Sequence, residues 1–303
     1  MMKFLVTGSL GADENDIRVI EALGHEVTLH PDERVPAVHP EQYEGMIGNS
    51  LLYYTGHEGF TSLRYLQITS AGLDRIPLDW VRERGIKLCN AEGVYSGPMA
   101  EWTVMRILEL LRRVPQDFRM QLAGEYKRDF KWQELAGKKV FLAGFGAYGR
   151  EIAKRLRPFG VTLTVFNRSR KEDPNVDEFL PLSELKERLP EADILVLAVG
   201  LAAETRHLID TDAFARMKRG ALLVNASRGP IVDEAALVTA LTDGTLAGAA
   251  LDVFETEPLP TDSPLWKLEN VLLSAHNSYF GNNNHRRMME VVLRNLREYG
   301  ERT

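Results

Sequence analysis

Residues 138–160 read KKVFLAGFGAYGREIAKRLRPFG, and this stretch decides the fold. An apolar run leads into a glycine-rich turn, and the turn opens a helical pattern of interleaved basic and apolar residues. The turn is G-x-G-x-x-G, with glycines at Gly144, Gly146 and Gly149. In a doubly wound α/β sheet the first glycine permits the tight turn. The second lets a pyrophosphate approach the backbone, and the third lets the helix pack closely on the strand. The helix N-terminus offers unpaired N–H groups and the positive end of its dipole to phosphate. The pattern alone is weak, but the strand before it and the helix behind it are the context a dinucleotide site requires.

From Gly137 onward the alternation continues through KVFLAG, VTLTVF, DILVLAV, ALLVNAS, AGAALDVF and VLLSA. Helix-like runs separate them, so six parallel strands in two mononucleotide-binding halves are expected. Residues 98–276 are assigned to this dinucleotide-binding domain. Towards the N-terminus the runs KFLVTG, EVTLH, MIGNS, YLQITSAG and GIKLCNA form a second alternating series. DIRVIEALG supplies a helix that stops at Gly24. The fold class is therefore α/β, with two doubly wound parallel sheets. A long helix is expected after Gly97 and Pro98, and Pro115 is expected to end or kink it. The aromatic and charged segment beyond Pro115 reads as a surface arm or an oligomer contact. The last helix carries Met289, Val292, Leu293 and Leu296 at i, i+3, i+4 and i+7 spacing. Its return to the N-terminal domain makes residues 1–97 plus 277–303 the substrate domain.

Composition sets the outer bounds. A chain of 303 residues suits about two domains. With 44% hydrophobic and 26% charged residues it reads as soluble and globular. The net charge of −6 argues against nucleic acid as a partner. Cys89 is the one cysteine, so no intrachain disulfide can form, and it is assigned to buried packing. The N-terminal apolar run is short and acidic residues follow it, unlike a signal peptide. No stretch approaches the roughly 18 apolar residues of a membrane helix. The expectation is a cytoplasmic protein with no membrane partner.

Three side chains with acid, base or anion-binding chemistry follow three consecutive strands. Arg228 follows ALLVNAS, Glu257 lies beyond AGAALDVF, and His276 follows VLLSA. Ligands of open parallel sheets bind outside the carboxyl ends of the strands. His276 is thus the expected general acid–base group, Glu257 its orienting carboxylate, and Arg228 the substrate-binding cation that polarises a carbonyl. The second strand ends VFNRSR. An NAD site has a carboxylate there, roughly 20 residues past the glycines, for the ribose 2′-hydroxyl. Asn167 does not repel a 2′-phosphate, and Arg168, Ser169 and Arg170 can grip one. NADP(H) is therefore the expected cofactor, with NAD(H) as the alternative. His25, His30, His39, His57, His207 and His285 show no metal-ligand spacing and are read as surface or packing residues. No metal is expected.

Taken in order, SAGLDRI, NAEGVYSGPMAEWTV, ELAGKKVFLAGFGAYGREIA, LLVNASRGPIVDEAAL, AGAALDVFETEPLP and NVLLSAHNS span nearly the whole chain. In this combination the sequence resembles the D-isomer-specific 2-hydroxyacid dehydrogenases. The resemblance implies a flavodoxin-like substrate domain completed by the C-terminal helix and a Rossmann cofactor domain. It implies that Arg228, Glu257 and His276 are the catalytic arginine, glutamate and histidine. It places backbone N–H groups at Ala71 and Gly72 on the substrate carboxylate. It places Asp252 near the nicotinamide, and Thr103, Tyr148, Val199 and Ala226 along the cofactor. It implies a homodimer paired through the cofactor domain. Three segments depart from the family pattern: NAEGVYSGPMAE, the third-strand exit AVGLAAETRHLI, and NSYFGNNN after His276. They leave the identity of the 2-keto acid open.

The expected function is reduction of a small 2-keto acid to a D-2-hydroxy acid, with glyoxylate and hydroxypyruvate favoured. Domain closure is expected to exclude water and align donor with acceptor. The alternatives are an NAD(P)-sensing regulatory protein on the same fold, which would bind cofactor without turnover, and an oxidase of an inorganic or one-carbon anion.

Overall fold

The structure is a computed structural model and describes residues 1–301. The backbone divides into two compact units. One comprises Met1–Tyr95 with the segment from Gly281 onward, and the other Ser96–Phe280.

The first unit contains β1 (Lys3–Thr7), α1 (Glu14–Glu21), β2 (Glu26–His30), β3 (Gly45–Gly48), α2 (Leu51–Thr55), β4 (Tyr65–Ile68), α3 (Leu78–Glu83) and β5 (Lys87–Cys89). Its five strands are all parallel, in the order β2-β1-β3-β4-β5. That order reverses direction between β1 and β3, which is the switch point of a flavodoxin-like sheet. Helix α1 starts earlier than its apolar periodicity suggests because Asp13 and Asp16 form a capping box. Gly24, with φ of 88°, turns the chain towards β2. Cys89 is half-buried rather than sealed in the core.

The second unit opens with α4 (Ser96–Leu111) and α5 (Val114–Leu122). Pro115 does not end the first of these helices. It sits in the first turn of α5, where its missing N–H is no loss. The break falls instead at Arg113, which has φ of 53°. There follow β6 (Lys139–Ala143), α6 (Ala147–Leu156), β7 (Thr162–Asn167), β8 (Glu178–Pro181), α7 (Leu185–Arg188), β9 (Ile194–Leu197), α8 (Thr211–Arg216), β10 (Ala221–Asn225), α9 (Glu234–Thr242), β11 (Leu246–Leu251) and β12 (Val271–Leu273). The strands form one parallel sheet in the order β12-β11-β10-β9-β6-β7-β8.

The sheet thus has seven strands where the sequence suggests six. The extra one, β8, is EFLP: two half-buried residues between two exposed ones at the sheet edge, ended by a proline and paired only with β7. Nothing in so short a run separates it from a loop. In consequence AVGLAAETRHLI leaves the fourth strand of this sheet, not the third.

Both faces of this sheet are covered, which is why its strands read as continuous apolar runs. Val140, Leu142, Val196 and Val224 pack with α4 and α6 on one face. Phe141, Ala143, Leu195 and Leu223 pack with α8 and α9 on the other. In the first unit, Met289, Val292 and Leu296 of α10 (Asn284–Gly300) bury against Phe4, Val6 and Tyr65. Each such side chain removed from water stabilises the fold by roughly 1.5–3 kcal/mol. No described helix is long and apolar enough to cross a membrane.

Candidate active site

The three glycines of the turn have three different physical reasons. Gly144 has φ of 102°, and a Cβ on it would lie 2.5 Å from the Ala198 carbonyl oxygen and 2.7 Å from the Val199 nitrogen. A Cβ on Gly149 would lie 2.5 Å from the Gly144 carbonyl oxygen. Both are forced by packing within the chain. Gly146 is different, because a Cβ there would meet nothing within 4 Å. It caps α6 with no side chain bonded to the first-turn N–H groups. A glycine with open space above it, at an uncapped helix N-terminus, fits the approach of a pyrophosphate. The cradle therefore fits a dinucleotide.

Beside it, Asn167 ties two loops together. Its Oδ1 accepts the Phe145 N–H at 3.3 Å, and its Nδ2 donates to the Ser169 carbonyl at 2.8 Å. Arg168 is exposed and pairs with Glu204 at 3.2 Å, and Arg170 is exposed. A third cation, missed in the sequence, is Lys171, whose Nζ donates to the Phe145 carbonyl at 3.0 Å. Thr103 is fully buried. Its hydroxyl donates to the Met99 carbonyl at 2.9 Å and meets the Tyr148 hydroxyl at 2.6 Å. Burial pushes the Tyr148 phenol up from its ordinary range. The nearby Asp252 charge adds to the shift, and the Thr103 hydrogen bond opposes it. Val199 and Ala226 lie just past the ends of β9 and β10.

The order β10-β11-β12 makes the exits of the three chemistry-bearing strands neighbours. His276 and Glu257 meet there: Nδ1 lies 2.7 Å from Oε2. The second Glu257 oxygen accepts the Phe254 N–H at 3.1 Å, which fixes the carboxylate plane. His276 Nε2 has no hydrogen-bond partner among the described residues. His276 has φ of 48° and donates its N–H to the Asp252 carbonyl at 2.8 Å. An L residue held in that region is strained by roughly 1–3 kcal/mol, and such residues concentrate at functional sites.

Two buried polar residues, one of them missed in the sequence, shape these exits. The Asn225 side chain accepts from the Ser227 N–H at 3.0 Å and hydroxyl at 2.9 Å, and donates to the Arg228 carbonyl at 3.0 Å. It moulds the turn that presents Arg228, whose Nη1 donates to the Ser227 carbonyl at 2.8 Å. Asp252 is fully buried, and its carboxylate is spent on the loop after β12. It accepts the Ser274 hydroxyl at 2.6 Å, the Asn277 N–H at 3.0 Å and the Ser278 N–H at 2.9 Å. The signal for Asn225 was a lone amide ending an apolar strand. His207, expected on the surface or in packing, lies 2.5 Å from Glu255 through Nε2. No cluster of three metal-ligating side chains occurs among the described residues.

At the exits of the five-stranded sheet the arrangement is of another kind. The Glu33 carboxylate accepts from the Thr7 hydroxyl at 2.6 Å, the Ser9 hydroxyl at 3.0 Å, the Asn49 N–H at 2.6 Å and the Ser50 N–H at 2.8 Å. Thr69 donates on to Ser9 at 3.1 Å, so the network reaches the β4 exit. There Asn90 donates to the Ala71 carbonyl at 2.7 Å and Ser70 to the Gly72 carbonyl at 2.8 Å. The N–H groups of Ala71 and Gly72 have no acceptor among the described residues. Two fixed, unpaired amides suit a carboxylate. Sequence reasoning had no handle on Glu33, one of many acidic residues in a loop.

Comparison with known proteins follows the same lines. The family described as D-isomer specific 2-hydroxyacid dehydrogenase, NAD binding domain, matches residues 104–278. The glyoxylate reductase of Korarchaeum cryptofilum is 36% identical over 253 residues, covering 79% of this chain and 74% of that one. A glyoxylate reductase structure from Paecilomyes thermophila superposes with a TM-score of 0.85 at 25% identity, covering 98% and 94% of the two chains. The NADPH-dependent glyoxylate/hydroxypyruvate reductase of Sinorhizobium meliloti, solved with NADP and malonate, gives a TM-score of 0.80 at 28% identity, covering 98% and 93%.

Proposed function

The chain belongs to the D-isomer-specific 2-hydroxyacid dehydrogenases, and from that premise we propose an NADPH-preferring reductase of a small 2-keto acid. Glyoxylate and hydroxypyruvate are the favoured substrates and a D-2-hydroxy acid the product. The observation that carries this reading is the 2.7 Å contact between His276 Nδ1 and Glu257 Oε2 at a strand exit of the sheet that bears the glycine turn. A carboxylate on Nδ1 orients the ring and leaves Nε2 for the substrate, as in other carboxylate–histidine pairs. Bound NADPH supplies the hydride to the carbonyl carbon. His276 Nε2 gives its proton to the carbonyl oxygen, and in the oxidative direction takes it back. Arg228 binds the substrate's carboxylate and polarises the carbonyl. The N–H groups of Ala71 and Gly72 are assigned to a substrate carboxylate.

On the cofactor side, Thr103, Gly144, Gly146, Tyr148, Gly149, Val199, Ala226 and Asp252 are proposed to line the dinucleotide. The neutral Asn167, with Arg168, Ser169 and Arg170, supports NADPH over NADH. The activities of these relatives support the substrate choice. A homodimer is also proposed. Phe118, Leu122, Tyr126 and Phe130 are exposed apolar residues concentrated on the segment beyond Arg113, and a second copy would cover them. Light scattering on the purified chain tests that assembly.

The experiment for the reaction is steady-state oxidation of NADPH and of NADH against a panel of 2-keto acids. Turnover of glyoxylate or hydroxypyruvate with NADPH favoured supports the whole reading. Equal efficiency with both cofactors removes the NADPH preference. Tight cofactor binding with no turnover of any keto acid favours a dinucleotide-sensing regulator instead.

A further inference from the structure

A second histidine–glutamate pair shares a loop with the first. His207 lies in the loop between β9 and α8, with φ of 49°, a backbone region that non-glycine residues seldom adopt. Its N–H donates to the Pro230 carbonyl at 2.8 Å, within the turn that presents Arg228. Two residues on, Ile209 forms a parallel bridge with Val232, taking the Asp233 N–H at 3.0 Å and giving its own to Ile231 at 3.1 Å. The backbone around His207 is therefore zipped onto the Arg228 segment.

Its side chain turns to a different loop. Nε2 lies 2.5 Å from Oε1 of Glu255, two residues before Glu257. The N–H of Glu255 donates to Glu234 at the start of α9, at 3.3 Å. The loops of Arg228 and Glu257 are also pressed together here. A Cβ on Gly229 would fall 1.9 Å from the Phe254 carbonyl carbon and 2.6 Å from the Glu255 nitrogen. One short loop thus hands two glutamates to two histidines, each at positive φ. Glu257 faces His276, and Glu255 faces His207.

We propose that His207 is a positioning residue for the reaction: bonded to the Arg228 turn by its backbone and to the Glu257 loop by its ring, it fixes the alignment of Arg228 with the Glu257–His276 pair. The proposal rests on the reading of that pair as the proton-handling group. The His207 and Glu255 side chains are 41% and 35% exposed, so their ion pair adds little stability as such. Its leverage is geometric, because a catalytic group displaced by about 1 Å can cost about 100-fold in rate.

The test uses the whole chain and begins with His207→Ala, Glu255→Ala and the double replacement. Each single variant should lower kcat about 5- to 20-fold while KM for NADPH stays within about two-fold. The double variant should fall no more than about two-fold below the worse single one, because both remove the same link. His207→Gln, which keeps a donor of similar reach, should recover most of kcat. Wild-type kcat in His207→Ala, multiplying losses in the double variant, or no recovery with Gln would each overturn the proposal. Glu255→Ala reaches the same link from an exposed loop position, so the outcome does not depend on His207 variants folding. His276→Asn separates the two readings. If it keeps turnover, the proton-handling pair itself is misassigned. If it is inactive while His207→Ala is normal, only the positioning role fails.

Discussion

The exits of the two sheets are built in opposite ways. At the seven-stranded sheet the chemistry is in side chains, and buried polar residues hold the loops that carry them: Asn225 for Arg228 and Asp252 for His276. At the five-stranded sheet one carboxylate, Glu33, gathers hydroxyl and N–H donors from the exits of β1 and β3. At the neighbouring β4 exit the N–H groups of Ala71 and Gly72 have no acceptor among the described residues. Proton transfer needs particular residue types, whereas holding a carboxylate needs only a fixed pair of amides. Damage to the first edge should therefore appear in kcat, and damage to the second in the KM of the keto acid.

The largest expected effect is at the first edge. His276→Asn removes the group assigned to proton transfer but leaves the Asp252-held loop in place. Steady-state assays should show kcat reduced by about 100- to 10,000-fold, with cofactor affinity nearly unchanged. A KM effect on the keto acid without loss of kcat would invert the comparison.

The next effect lies within the same unit, at the cofactor. The double replacement Arg168→Ala with Arg170→Ala should raise KM for NADPH by about 10- to 100-fold, the loss of one or two charge-assisted hydrogen bonds. KM for NADH should stay within about two-fold. Equal changes for both cofactors would place the arginines away from the 2′-phosphate. The Glu204 carboxylate, 3.2 Å from Arg168, would compete with a phosphate for that guanidinium.

How far this contrast could be read from the sequence follows from its physics. The seven-stranded sheet announces itself because its strands are buried on both faces and two of its turn glycines, Gly144 and Gly149, are forced by close backbone contacts. The positions of Arg228 and His276 just past β10 and β12 are legible because each follows an apolar run, and Glu257 lies in the loop after β11. Strand β8 is not legible, since four edge residues carry no periodicity. The break at Arg113 is hidden because a positive φ at arginine leaves no compositional trace. Glu33 and Glu255 share a single obstacle. Each acts through partners remote in sequence, and the partnership exists only once the strands are in order.

The second edge is tested by Glu33→Ala. The variant leaves two backbone N–H groups and two hydroxyls without their acceptor, at about 1–3 kcal/mol for each that water cannot reach. The β3 and β4 exits should loosen together through Ser9 and Thr69. KM for the keto acid should rise about ten-fold, with kcat and cofactor KM changed by less than about three-fold. A fall in kcat with KM unchanged would show that this edge serves chemistry and not binding.

The smallest expected effect asks whether the polar supports of the first edge are themselves strained. Burial, and then the neighbouring Glu255 charge, push the Glu234 carboxyl above the ordinary glutamate range, while the Glu255 N–H opposes the shift. A carboxyl whose folded pKa is raised opposes folding when ionised, so its cost is present above that raised pKa. The cost disappears as pH falls through it and the group takes up a proton. Glu234→Gln keeps an acceptor for the Glu255 N–H and removes the charge. Because the group is partly solvated, the gain at neutral pH should stay below about 1 kcal/mol. In thermal melts the variant should lie slightly above the wild type at pH 7 and converge with it near pH 4. Convergence at high pH instead would mean that the ionised form is the favoured one. Glu234 would then support the Glu255 loop as a charge, and the pair at His207 would be part of a larger ionic network.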